Sequence, residues 1–166
     1  MGAWRRFIKH RLWDERDARR ALPAAALARL AERIAASEQL HNGQIRICVE
    51  ASLPLRYLRL QASARQRALA LFGKLGVWDT EHNNGVLIYL LLAEHAIEVV
   101  ADRGLRAHAD AWPSMVEHLR TALRAGRFEE GLNEAVDAAS AVLQAEFPRE
   151  AGAPGGNELP NEVVVL

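Results

Sequence analysis

Asp102-Arg103-Gly104 and Asn83-Asn84-Gly85 place a carboxylate, a guanidinium and two amide oxygens in short, turn-rich stretches. Oxygen donors on tight loops are what a hard divalent cation such as Ca2+ or Mg2+ requires. A carboxylate beside an arginine can equally hold a phosphoryl group through a bridging metal. In that chemistry Asp102 and the Asn83-Asn84 loop hold the cation and Arg103 neutralises the phosphate, as in a weak metal-assisted phosphomonoesterase. Asn and Gly are also the ordinary residues of turns, and Asp102 is equally suited to cap a helix beginning after Gly104 while Arg103 pairs with a surface carboxylate. A shared site requires that the fold bring the two stretches to one place.

The hydrophobic pattern does so. The run from Val86 to Leu92 is apolar, rich in branched side chains and opened by turn residues, as in a strand covered on both faces. Ala93, Glu94 and His95 are too few for a crossover, so the strand from Ile97 returns antiparallel and sets Asn84 and Asp102 at one end of the sheet. Gln44 to Glu50 alternates in the strand period with Ile45, Ile47 and Val49 on one face. A helix from about Gln61 to Leu75, stopped by Gly76, links that strand to the next, so the two run parallel. His41-Asn42-Gly43-Gln44 then starts at the same end as Asn83-Asn84-Gly85, with His108 and Asp110 shortly after Asp102.

Helical spacing recurs in three further places: Leu27, Leu30 and Ile34 after Pro23; Trp112, Val116, Leu119 and Leu123 before Gly126; and Leu132, Val136, Ala139 and Leu143 between Phe128 and Phe147. The predicted fold is α/β, a three-layer α/β/α sandwich with a small mixed sheet of three to four strands and helices on both faces. Residues 1–20 form a basic amphipathic arm, 21–148 the α/β domain, and 149–166, rich in Gly, Pro and Asn, a flexible tail.

With 166 residues, half of them hydrophobic, the chain fits one domain with a sizeable core. Basic and acidic side chains balance at 21 each, which argues against a nucleic-acid binder. The arm departs from that balance, with seven basic residues against three acidic ones up to Arg20. Trp4, Phe7, Ile8 and Leu12 share a helical stripe bordered by Arg5, Arg6 and Lys9, suited to a membrane surface or a protein partner, or to packing on the domain. The lone Cys48, the lack of an apolar leader and the lack of a spanning run give a cytoplasmic expectation, peripheral to the inner membrane if the arm binds lipid.

Other chemistries are disfavoured. His41, His82, His95, His108 and His118 lack zinc-ligand spacing. Cys48 lies in mid-strand, where a small core residue is expected rather than a nucleophile. No Gly-rich phosphate loop with a following Lys occurs, and no Gly-x-Ser-x-Gly elbow. Trp78 and Trp112 are expected in or over the core, whereas Trp4 and Trp13 have no evident partners.

The order of motifs resembles the TPM domain family, named for thylakoid-lumen, photosystem II repair and MOLO proteins. The resemblance rests on Gly43-Gln44-Ile45-Arg46-Ile47, Leu71-Phe72-Gly73-Lys74-Leu75-Gly76, Asn83-Asn84-Gly85-Val86-Leu87-Ile88, Asp102-Arg103-Gly104-Leu105, Gly126-Arg127-Phe128-Glu129-Glu130-Gly131-Leu132 and Phe147-Pro148. Asn157-Glu158-Leu159-Pro160 also resembles the endings of short, soluble bacterial members. The family implies an α/β/α sandwich. It also implies calcium binding at the sheet end in some members, acid phosphatase activity in plant lumenal ones, and an accessory role in membrane assemblies in others. Carried over by position, its loop site maps to Asn83, Asn84 and Asp102, with Asp79 and Asp110 as further ligands. The sequence carries the expectation of neither the signal sequence nor the C-terminal membrane helix of fuller members. It also has Asn83 where many relatives carry an acidic residue, and fewer carboxylates weaken an oxygen site for cations.

Overall fold

A computed structural model describes residues 3–149 and 157–166. Four strands, β1 (Gln44–Glu50), β2 (Gly85–Leu91), β3 (Ala96–Ala101) and β4 (Val164–Val165), form one sheet in the order β3-β2-β1-β4. β1 and β2 pair in parallel from Gln44 opposite Gly85 to Glu50 opposite Leu91, and β2 and β3 pair antiparallel with Val86 opposite Ala101. The expected crossover and hairpin are therefore present. The crossover runs through the short α4 (Leu55–Arg59) and α5 (Ala64–Lys74), the latter opened by a Ser63–Gln66 capping box and closed by Gly76 at φ +69°.

The strands are sandwiched as the pattern requires. On one face Ile45, Ile47, Val49, Val86, Ile88 and Leu90 pack against α3 (Ala24–Ser37), α6 (Ala111–Arg124) and α7 (Phe128–Glu146). On the other, Cys48, Leu87, Tyr89 and Leu91 pack against α5. Burial pushes the Cys48 thiol up to about 12, so it stays protonated and unreactive at neutral pH.

The polar side of β1 is not left to solvent. Gln44, Arg46 and Glu50 are all buried, because the end of the chain and α5 cover them. Gln44 Oε1 accepts from the backbone N–H groups of Glu158 and Leu159, and Arg46 Nη1 donates to the carbonyls of Pro160 and Glu162. β4 then adds to β1 in parallel, Cys48 opposite Val164. Of the tail expected over 149–166, Arg149 and residues 158–166 make side-chain and backbone hydrogen bonds to the domain that composition does not reveal, and 150–156 lie outside the described residues.

The basic N-terminal stretch is also laid onto the domain. α1 (Ala3–Arg11) docks through Arg6, which donates to Glu94 Oε1 at 2.5 Å and to the Ala62 carbonyl at 2.6 Å, and through the buried His10. The Leu53 N–H points at His10 Nδ1 at 3.0 Å, so the proton lies on Nε2 and is donated to Glu94 at 2.9 Å. α2 (Glu15–Ala21) follows, capped by Asp14, with Ala18 in the core. Arg6 and His10 face inward, leaving Trp4, Ile8 and Leu12 as an exposed stripe. Trp78, expected over the core, is instead 54% exposed, its indole N–H donating to the Gly73 carbonyl. No described helix is long and apolar enough to cross a membrane.

Candidate functional site

The parallel pairing of β1 with β2 and the return of β3 draw four turn segments to one end of the sheet. The Asp102 N–H donates to the Gly85 carbonyl at 2.9 Å, and the Gly104 N–H to the Asn83 carbonyl at 3.0 Å. On the other flank, Asn84 Nδ2 donates to the Asn42 carbonyl at 3.1 Å, and the Asn42 N–H donates to the Phe147 carbonyl at 2.9 Å. His41 bridges to Pro148. His82 stacks on Phe147, ring centroids 6.5 Å apart.

Close backbone approach accounts for the glycines here. A Cβ on Gly85 would lie 2.0 Å from the Val77 carbonyl oxygen. One on Gly104 would lie 2.6 Å from the Asn83 carbonyl oxygen and 2.9 Å from that of His82. Backbone atoms cannot yield cheaply, so Gly104→Ala should cost about 1–3 kcal/mol as the two turns are forced apart. Urea unfolding measures this, and a loss within about 0.5 kcal/mol, the range of a neutral surface change, would show that the turns are not held so closely.

Asn83, Asn84, Asp102 and Arg103 are thus brought together, each with a defined task. Asn83 adopts a left-handed backbone, φ +51°, a conformation Asn tolerates, and its Oδ1 accepts from Arg103 Nε at 3.0 Å. Asn84 is fully buried, and its N–H donates to Thr80 Oγ1 at 3.0 Å. Asp102 Oδ1 accepts from the Arg103 N–H at 2.6 Å, capping the 3-10 turn Arg103–His108. Arg103 therefore turns towards the Asn83 loop rather than to a surface carboxylate.

Asp79 and Asp110 stand exposed on the flanks, and neither makes a hydrogen bond or ion pair with these four residues. Asp110 sits at the start of α6 without accepting a capping bond. Among the described residues, no group of three or more His, Cys, Asp or Glu side chains is arranged to hold a metal.

Three buried polar atoms at this end have no hydrogen-bond partner: Asn84 Oδ1, Asp102 Oδ2 and His41 Nε2. Such atoms are uncommon in folded proteins and mark places where a ligand or water can be accepted. His41 and Thr80 join the site from loops whose composition signals only a turn. Burial holds His41 down to about 4, although its Nδ1 lies 3.1 Å from the Gly43 carbonyl. Three residues earlier, burial pushes the Glu38 carboxyl up to about 7, against the Ile45 N–H and the nearby Arg46 and Arg149. The site is thus bordered by a neutral imidazole and a carboxyl that ionises late.

A comparison with curated proteins gives no match. Among solved structures, the fold is similar to the NMR structure of the BA42 protein from the psychrophilic bacterium Bizionia argentinensis, with a TM-score of 0.74 at 24% identity over 86% of this chain and 94% of that one. The family model described as TPM domain matches residues 16–142, which take in β1 to β3, the Asn83-Asn84-Gly85 loop and the Asp102 turn. This chain belongs to the TPM domain family.

Proposed function

We propose that this chain is a non-catalytic binding module, an accessory component whose sheet end takes up a hard divalent cation, Ca2+ or Mg2+, with low affinity. The observation that carries the reading is the pair of unpartnered buried oxygens, Asn84 Oδ1 and Asp102 Oδ2, one amide and one carboxylate, set on two turns that are joined through the Asp102–Gly85 hydrogen bond. Their chemistry suits a hard cation. Their number and charge do not suit tight binding, since Asn83 already accepts from Arg103 and oxygen-site affinity rises with carboxylate count. When bound, the cation would offer open coordination positions to an oxygen anion of a partner.

The same residues argue against the phosphatase alternative. Phosphate monoester hydrolysis demands a barrier reduction of more than about 20 kcal/mol. Asp102 already caps a turn with one oxygen and Arg103 is held by Asn83. His108, at the end of that turn, pairs with Glu146 at 2.7 Å, and among the described residues no Ser or Cys side chain is hydrogen-bonded to a base beside Asp102 or Arg103. A larger partner would meet the exposed Trp4 and Ile8 of α1 and Leu12 just after it, bordered by Arg5 and Arg11.

Thermal unfolding with added Ca2+, Mg2+ and Mn2+, for wild type and Asp102→Asn, tests the reading. At a hundred times its dissociation constant, a cation bound only by the folded state adds about 2.7 kcal/mol, which should be lost in the variant. No response to any ion would overturn the cation assignment. Turnover of p-nitrophenyl phosphate above a mock-purified control, lost in Asp102→Asn, would overturn the non-catalytic reading.

A further inference from the structure

At the opposite end of β2, about 20 Å from the Asn83 loop at the usual rise of a strand, lies a cavity of about 500 Å3. It is built where the β2–β3 turn, the last turns of α6 and the start of α7 meet the loop between α1 and α2. Leu92, Ile97, Leu123 and Phe128 supply apolar lining, and Trp13 meets the His95 ring edge-on at 6.1 Å between centroids. His95 reaches this position through a left-handed backbone, φ +52°, at the hairpin turn. Trp13, without an evident partner in the sequence, is thus a wall of this chamber.

The charge of the lining is one-sided. Arg120 and Arg124 project from α6, and no acidic side chain lines the cavity, although the whole chain balances its charges. Arg120 is partly neutralised by Glu117 one turn back. Arg124 makes no hydrogen bond or ion pair among the described residues. Pockets of roughly 300–1,000 Å3 with mostly apolar walls and a few polar groups are the usual form of small-molecule sites. A free guanidinium at the mouth of such a chamber selects a planar anion, which it can bind with two parallel N–H donors.

We propose that this cavity binds a small amphipathic carboxylate, such as a medium-chain fatty acid, with its hydrocarbon part against Leu92, Ile97, Leu123 and Phe128 and its carboxylate on Arg124. Arg120 adds a second, weaker positive charge. The site stands apart from the cation-binding turns, so either can fail without the other.

Octanoate is the probe, with octylammonium and octanol as controls of the same chain length. Binding to the full chain is followed by the indole N–H signal of Trp13 in two-dimensional NMR, identified by its loss in Trp13→Phe. Octanoate should shift that signal saturably below its micellar concentration, octylammonium should not, and Arg124→Gln, an exposed change that leaves the core intact, should weaken octanoate binding at least ten-fold. An absent or unsaturable shift would overturn the proposal. So would equal responses to octanoate and octanol, which would mark an unspecific apolar surface of the kind a partner helix covers. Unchanged binding by Arg124→Gln would remove the carboxylate assignment.

Discussion

Glu50→Ala should destabilise the protein by about 3–5 kcal/mol, a large part of the stability of a domain of this size. Glu50 is 2% and Arg67 8% exposed. Arg67 donates through Nε and Nη2 to both carboxylate oxygens, at 2.6 to 3.2 Å, and its guanidinium lies 4.7 Å from the centroid of the Tyr57 ring. Tyr89, with no exposed surface, donates its hydroxyl to Glu50 Oε2 at 2.6 Å. Burial, with the neighbouring carboxylate, pushes the Tyr89 phenol far up, so it remains a donor throughout the working range. Removing the carboxylate strands a cation and a phenol in the same dry space. The pair itself contributes little beyond what packed hydrocarbon would, so Glu50→Leu with Arg67→Met should be far milder than Glu50→Ala alone. Urea unfolding of the three proteins decides this, and a single-variant loss below about 1 kcal/mol would contradict the buried arrangement.

The second large effect concerns pH. Glu38, raised by burial from 4.5 to about 7, contributes stability that is fully present below pH 4.5 and is lost as pH rises through about 7. His41, lowered by burial from 6.5 to about 4, contributes stability present above pH 6.5 and lost as pH falls through about 4. Each displacement corresponds to about 3 kcal/mol, and the two windows overlap with opposite slopes. Between them the folded protein holds its proton on Glu38 and the unfolded chain on His41, so the count of bound protons hardly changes. Glu38→Gln should therefore gain stability, relative to wild type, as pH rises from 4.5 to 7. His41→Gln should lose it over the same range. Unfolding midpoints at pH 4.5, 5.5 and 6.5 give the differences, and variant curves parallel to wild type would refute the compensation.

The elements that carry the site were legible because their signals are local. The apolar run of β2 with its short return, the alternation of β1, and the glycine after α5 fixed strand direction and therefore which loops meet. Asn83, Asn84 and Asp102 could be brought together on paper for that reason. The roles of the polar residues were less legible. Gln44, Arg46 and Glu50 have the spacing of an exposed strand face, and only long-range partners, residues 158–162 and Arg67, show why they are buried. Arg103 and Asp102 read as ligand-holding residues, and what no spacing shows is that Asp102 Oδ1 and Arg103 Nε also hold the turns themselves. His41 and Glu38 have pKa displacements set by enclosure, which no spacing encodes.

The pairing of β4 with β1 has a consequence for how the protein is made. β1 lies between β2 and β4, and the residues that complete it are separated from it by most of the polypeptide. During synthesis β1 and its polar side chains emerge long before Val164 and Val165 can cover them. Until then the strand presents an open edge, the feature that invites pairing with another chain. A closure spanning so much sequence is also slow to find. Arg46 and Gln44 give this interval a safeguard, because charged and amide side chains on an unfinished edge resist stacking against a neighbouring nascent chain. The polar residues that later anchor the tail are then also guards of the strand while it waits.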